Sequence, residues 1–171
     1  MKQKNKPKYE IKSWNELNPQ QKNELEDIFL SSKSAHIPTV RYCIREFPTF
    51  CLLMKGKPIA GIVYKKDKGF IKTWYSSLAK RKTINIELAA TTHSAIVKQF
   101  YKHFGETPME TLLFDKLLPE ARKKHIKYVE SLGFTDTGEK IAKRLEKKGI
   151  VKFNQWKGFY VYKIAKYKRP I

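Results

Sequence analysis

Apolar positions recur in two rhythms along the chain, and the places where the rhythm changes predict the order of its elements. Tyr9-Glu10-Ile11-Lys12-Ser13-Trp14 alternates and predicts a short strand, and Asn18-Pro19 supplies a cap and an N1 proline for a helix over Gln20 to Ser31. Leu25, Ile28 and Phe29 share one face of that helix. His36-Ile37-Pro38 interrupts it, and Val40, Cys43, Ile44 and Phe47 return at helical spacing until Pro48. Thr49 to Met54 and Ile59 to Tyr64 are compact β-prone runs on either side of a turn at Lys55-Gly56-Lys57-Pro58, an antiparallel hairpin. Phe70 to Ser77, after a second turn, makes a third strand of the meander.

A long helix is expected from Thr83 or Asn85 to Phe104, with Ile86, Ala89, Ala90, His93, Val97, Phe100 and Phe104 on one stripe and Gly105 ending it. Met109 to Phe114 reads as a strand, parallel to the one at Phe70 because a helix separates them. Pro119-Glu120 opens a helix over Ala121 to Leu132 that Gly133 closes. From Phe134 on the pattern is extended, with one strand around Lys140 to Phe153 and another over Gly158 to Ile164. The order is β α α β β β α β α β β. No internal repeat and no linker divides it, so the expectation is a basic flexible leader over 1–8 and one domain over 9–171.

Composition narrows the class. The 171 residues, 41% of them hydrophobic, suffice for one core, and no apolar run approaches the roughly 18 to 20 residues that span a bilayer, which excludes a transmembrane protein. No apolar segment follows the basic N-terminus, so a secretory signal is not expected. Cys43 and Cys51 stand without a second pair, which excludes a disulfide scaffold and a cysteine zinc site; two buried thiols in a reducing, cytoplasmic or otherwise intracellular setting fit best. His36, His93, His103 and His125 are scattered, and no metal site is expected. Phosphate-loop, zincin and nucleophile-elbow motifs are absent.

Charge changes the picture most. The 36 Lys and Arg outnumber 16 Asp and Glu, for a net charge of +20, and the cations cluster in Lys2 to Lys12, Lys55 to Lys82 and Lys140 to Arg169. A polyanion is the natural partner: nucleic acid, an acidic protein or an anionic cofactor. Six of the 36 are Arg, so contacts to phosphate as point charges are favoured over base reading.

The element order, together with Lys55-Gly56-Lys57-Pro58-Ile59-Ala60-Gly61-Ile62-Val63-Tyr64 and Tyr128-Val129-Glu130-Ser131-Leu132-Gly133-Phe134-Thr135-Asp136-Thr137-Gly138, resembles the GNAT superfamily of acyl-CoA-dependent N-acyltransferases over about residues 9 to 164. The resemblance implies an α/β fold: a mixed, mostly antiparallel sheet of about six or seven strands flanked by about four helices. Acyl-CoA would lie where the fourth and fifth strands splay apart, and acetyl would pass from acetyl-CoA to an amine.

The family's Q/R-x-x-G-x-G/A loop, placed between the fourth strand and the next helix, would correspond to Lys80-Arg81-Lys82-Thr83-Ile84-Asn85, which has no glycine to let backbone N–H groups approach a pyrophosphate. Ser76, Ser77, Lys80, Arg81, Lys82 and Thr83 are the expected cofactor-binding set. The family's tyrosine, which protonates the departing thiolate, lies four residues before the Gly of the helix-to-strand junction; four before Gly133 is Val129, with Tyr128 one position away. The family often has a basic carboxylate on the fourth strand, but Phe70 to Ser77 has none. Glu87 and His93 are the nearest ionisable groups, although Glu87 also suits the first turn of a helix and His93 a hydrogen-bonded core.

These departures leave a second reading open, a GNAT-shaped protein without acetyl transfer that serves as a basic component of a ribonucleoprotein or virion. Trp156, Phe159, Tyr160, Tyr162 and Tyr167 interleave with Lys152, Lys157, Lys163, Lys166, Lys168 and Arg169, a composition suited to phosphate-backbone contact. Strand alternation assigns at least half of those aromatics to the core.

Overall fold

A computed structural model describes residues 8–32, 37–67, 83–126, 128–131, 136–149, 151–156 and 159–164. The strands are β1 (Tyr9–Ser13), β2 (Thr49–Met54), β3 (Lys57–Asp67), β4 (Thr83–Thr91), β5 (Tyr128–Ser131), β6 (Val151–Trp156) and β7 (Phe159–Ile164). The helices are α1 (Pro19–Ser31), α2 (Ile37–Glu46), α3 (Ser94–Phe104), α4 (Pro108–Leu112), α5 (Leu118–Lys123) and α6 (Asp136–Lys147). The seven strands pair in the order β1-β2-β3-β4-β5-β7-β6, a mixed sheet in which β4 and β5 are parallel. The fold is thus the mixed α/β architecture that the resemblance implies. Its backbone contacts gather into two units, residues 1–63 with 88–113 and residues 64–87 with 114–171.

The first half of the pattern reads true. Asn18 caps α1, its side chain accepting from the Gln21 N–H at 2.8 Å, and the Gln21 side chain returns to the Asn18 N–H at 3.1 Å. The β2–β3 hairpin turns on Lys55 and Gly56 alone, both at positive φ (53° and 76°), the two-residue geometry that matches strand twist. In the first unit α1 and α2 bury Leu25, Ile28, Phe29, Val40, Cys43 and Ile44 in one cluster with Cys51, Leu53, Val63, Leu88 and Ala90. Gly61 of β3 lets α1 approach closely: a Cβ there would lie 2.5 Å from Leu25 Cδ1 and 2.6 Å from Phe29 Cζ.

The second half departs from the pattern. The segment expected as one helix from Thr83 or Asn85 to Phe104 is β4, a two-residue turn and α3. Ile84, Ile86, Thr91 and Thr92 prefer the pleated strand, and the stripe that suggested a longer helix is continuous with α3 only from Val97 onward. The strand expected at Met109 to Phe114 is helical instead. Thr107 caps α4, accepting from the Glu110 N–H, while the buried Glu110 carboxylate takes the Thr107 N–H at 2.8 Å and hydroxyl at 3.0 Å. Leu113–Leu117 continues as a π turn into α5. Pro119, with no N–H to donate, gives this wide turn a physical cause.

The helix expected over Ala121 to Leu132 ends at Lys123, and Tyr128–Ser131 is β5. Its parallel partner is β4, in the register Thr83↔Tyr128 to Ile86↔Ser131, in place of the pairing expected between 109–114 and 70–77. The extended segment expected around Lys140 begins as α6, and only Val151–Trp156 is strand, paired antiparallel with β7. The predicted strand at Phe70 to Ser77 lies outside the described residues. No helix among the described residues is long and apolar enough to cross a membrane.

Candidate active site on the fourth strand

Strand alternation sorts the side chains of β4. Ile84, Leu88 and Ala90 are buried, whereas Asn85 and Glu87 are half-buried, Ala89 is exposed and Thr91 is half-buried on the opposite face. Among the described residues β4 pairs with β5 from Thr83↔Tyr128 to Ile86↔Ser131, and Glu87 follows Ile86 on β4. A helix-starting carboxylate in the sequence pattern is therefore a strand carboxylate, on the fourth strand of the sheet. Two positions back on the same face, the Asn85 Oδ1 is buried with no hydrogen-bond partner.

In the first unit β4 gives way to α3 through Thr92 and His93. The Thr92 N–H donates to the Ile59 carbonyl at 2.9 Å, which ties the turn to β3. His93 is the N-cap residue; its carbonyl accepts from the N–H groups of Ile96 and Val97 at 3.1 and 3.2 Å, and its side chain makes no capping bond. The reading of His93 as a core histidine is thus corrected: it is exposed, as are Ser94 and Ala95. Residues 88–105 hold no Asp or Glu, while Lys98, Lys102, His93 and His103 lie within them, so the start of α3 offers an anion hydroxyl and N–H donors on a segment free of its own acids.

The connection from the fourth strand to the following helix is accordingly Thr92–His93, and Thr83, Ile84 and Asn85 of the expected loop lie within β4. Ser76, Ser77, Lys80, Arg81 and Lys82 lie outside the described residues. Tyr128 opens β5 opposite Thr83, four positions before the level of Glu87, or about 13 Å along the strand. The helix that runs into β6 is α6, closed by Gly149 at a φ of 68°, and four residues before this glycine stands Leu145, buried and without a proton to give. Lys152 and Lys163 pair with each other across β6 and β7, whereas Lys157, Lys166, Lys168 and Arg169 lie outside the described residues.

A second ionisable cluster belongs to the framework. Glu120 of α5 accepts from Lys66 at 2.8 Å and from Lys124 at 3.0 Å, and these hydrogen bonds pull its carboxyl down to about 2. Burial, with Glu120 nearby, pushes Tyr64 up to about 12. No group of three or more metal-ligating side chains forms among the described residues.

The sequence pattern missed Thr91, Thr92 and Ser94 because it carried one helix across them. The signal was present: three hydroxyl residues within four positions, ahead of an amphipathic run, mark a helix start better than Thr83 does.

No protein-family model matches the chain, and no curated protein does. Among solved structures it is similar to a ribosomal-protein-alanine N-acetyltransferase from Brucella melitensis biovar Abortus 2308, with 12% identity over 96% of this chain and 99% of that one and a TM-score of 0.56. FeeM, an N-acyl amino acid synthase from uncultured soil microbes, has 14% identity over 92% and 88% with a TM-score of 0.53. A GNAT family acetyltransferase from Brucella melitensis, solved with acetyl-CoA, has 11% identity over 92% and 89% with a TM-score of 0.53. Identities this low speak for architecture alone, and together with the strand order they show that this chain has the GNAT fold.

Proposed function

We propose that the protein is an acyl-CoA-dependent N-acyltransferase that moves acetyl from acetyl-CoA to an amine, with Glu87 as the general base. The observation that carries this reading is the place of Glu87, a half-buried carboxylate on the fourth described strand, directly after Ile86, which pairs with Ser131 of β5. Acetyl-CoA, when bound, supplies an activated thioester carbonyl.

Within the first unit, and independently of Glu87, the Ser94 hydroxyl, the first N–H groups of α3 and the exposed His93 are donors of the type and charge that a diphosphate takes. They hold it by hydroxyl and helix-end donors where the family uses glycine-rich backbone. Glu87 takes a proton from the acceptor's ammonium, which frees the nitrogen lone pair to attack the carbonyl carbon. The C–N bond forms and the C–S bond breaks. With Leu145 at the tyrosine position, the departing thiolate takes its proton from solvent or from the proton that Glu87 received; a free thiol's pKa of about 8.5 makes this leaving group tolerable without a dedicated acid.

Two of the structural neighbours are named for amine acceptors, a ribosomal-protein alanine and an amino acid. A small or terminal α-amine is therefore the acceptor class to try first. Incubating the protein with acetyl-CoA and a pool of amino acids and short peptides, then reading products by mass, tests the proposal. Acetylated amines formed by wild-type protein and lost in Glu87→Gln support it; identical product levels in the two proteins contradict the role of Glu87.

A further inference from the structure

The surplus charge is unevenly shared. Residues 1–63 with 88–113 hold 13 Lys and Arg against 8 Asp and Glu, a net +5, whereas residues 64–87 with 114–171 hold 23 against 8, a net +15. Within the second unit α6 shows how this charge is presented. At 100° per residue, Ile141, Leu145, Gly138 and Ala142 fill one arc of the helix, with Ala142 and Leu145 buried. Lys140, Lys143, Arg144 and Lys147 fill an arc of about 100° on the opposite side, at the i, i+3, i+4, i+7 spacing of a single face.

Lys140, Lys143 and Lys147 are exposed and Arg144 is half-buried. Lys143 forms an ion pair with Glu139 at 2.9 Å; Glu139 and Glu146 lie to one side of the cationic arc, and Asp136, at the first position of the helix, is the one acid whose position falls within it. Lys140 to Lys147 covers about 10 Å, roughly three phosphates along one strand of a nucleic acid.

We propose that this face of α6 is a binding surface for the phosphodiester backbone of nucleic acid, independent of base sequence. The occupant follows from the charge of this face, on whose arc no apolar position of α6 falls. The large apolar side chains exposed among the described residues are Ile37, Tyr42 and Tyr101, all in the first unit. A protein partner would be expected to dock on a buried aromatic or aliphatic anchor, whereas a polyphosphate strand needs only positive charge at its own spacing. Three of the four cations are Lys, which meets phosphate as a point charge and reads no base edge. This proposal is separate from acyl transfer and survives if that reading fails.

The test is fluorescence-anisotropy titration of the full-length protein with a labelled 20-mer oligo(dT), from 50 to 300 mM salt, beside a labelled poly-glutamate of equal charge. Lys140→Gln/Lys143→Gln/Arg144→Gln/Lys147→Gln, which keeps good helix formers, is expected to bind oligo(dT) at least tenfold more weakly at 100 mM salt. Its log K against log salt should flatten by about 2, the counterion release of three single-strand phosphate contacts. Unchanged affinity and slope would overturn the proposal, as would poly-glutamate binding as tightly as oligo(dT), which would assign the face to acidic proteins. Should the variant misfold, lysine acetylation footprinting of the wild type decides: oligo(dT) should shield Lys140 and Lys147 more than Lys98 and Lys102 of α3, and equal shielding at the two places contradicts the assignment.

Discussion

Glu87 follows directly on Ile86, which pairs with Ser131 in the parallel register of β4 and β5, so a carboxylate stands on the strand next to a described rung.

Replacing Glu87 by Gln keeps shape and removes the base. The expected result is a fall in kcat of about 10²- to 10⁴-fold with little change in acetyl-CoA affinity, since the carboxylate acts on the amine.

Gly61→Ala tests the close approach of α1. The added methyl would press on Leu25 Cδ1 and Phe29 Cζ, and because both side chains are fully buried they have little room to move aside. A loss of about 1–3 kcal/mol is expected in urea unfolding. A neutral result would show that the α1–β3 contact relaxes more easily than its packing indicates.

The two thiols should be silent in the folded protein. Cys51 is fully buried, and burial, with Glu24 nearby, pushes its thiol up to about 12; Cys43 is buried as well. Ellman's reagent at pH 8 is expected to titrate neither cysteine until denaturant is added, when both react.

Glu120 gives the fold an acid-sensitive component. Its carboxyl is held at about 2, below the ordinary value of 4.5, so the stability it contributes is complete above about pH 4.5 and is lost as pH falls toward 2. The side chain and its lysine partners are partly solvent-exposed, which limits the contribution to about 1 kcal/mol. Glu120→Gln should therefore melt slightly below wild type at neutral pH, and the two melting curves should converge between pH 4.5 and 2.

The fold was legible in the sequence where two local signals agreed. Asn18-Pro19 with the Leu25, Ile28 and Phe29 face gave α1, and Lys55-Gly56 between β-prone runs gave the β2–β3 hairpin. It was illegible where one periodicity ran through a change of element. Ala89, Ala90 and His93 extend the α3 stripe backward by spacing alone, yet the β-branched residues Ile84, Ile86, Thr91 and Thr92 hold that stretch in strand and turn. The strand expected at 70–77, which lies outside the described residues, holds no carboxylate, whereas β4 carries Glu87. Glu87 was found as a residue and misplaced as an element. Tyr128 followed from the same shift, because Gly149, and not Gly133, closes the helix that leads into β6.

The most direct measurement is the melting temperature of nuclease-treated protein with and without acetyl-CoA at 150 to 300 mM salt. Acetyl-CoA at a hundredfold excess over its dissociation constant is predicted to stabilise the protein by about 2.7 kcal/mol, an upward shift of roughly 5–10 °C that persists across the salt range. An unchanged melting temperature at millimolar acetyl-CoA would contradict an acyl-CoA-dependent enzyme and leave a GNAT-fold protein whose partner is sought through its charge.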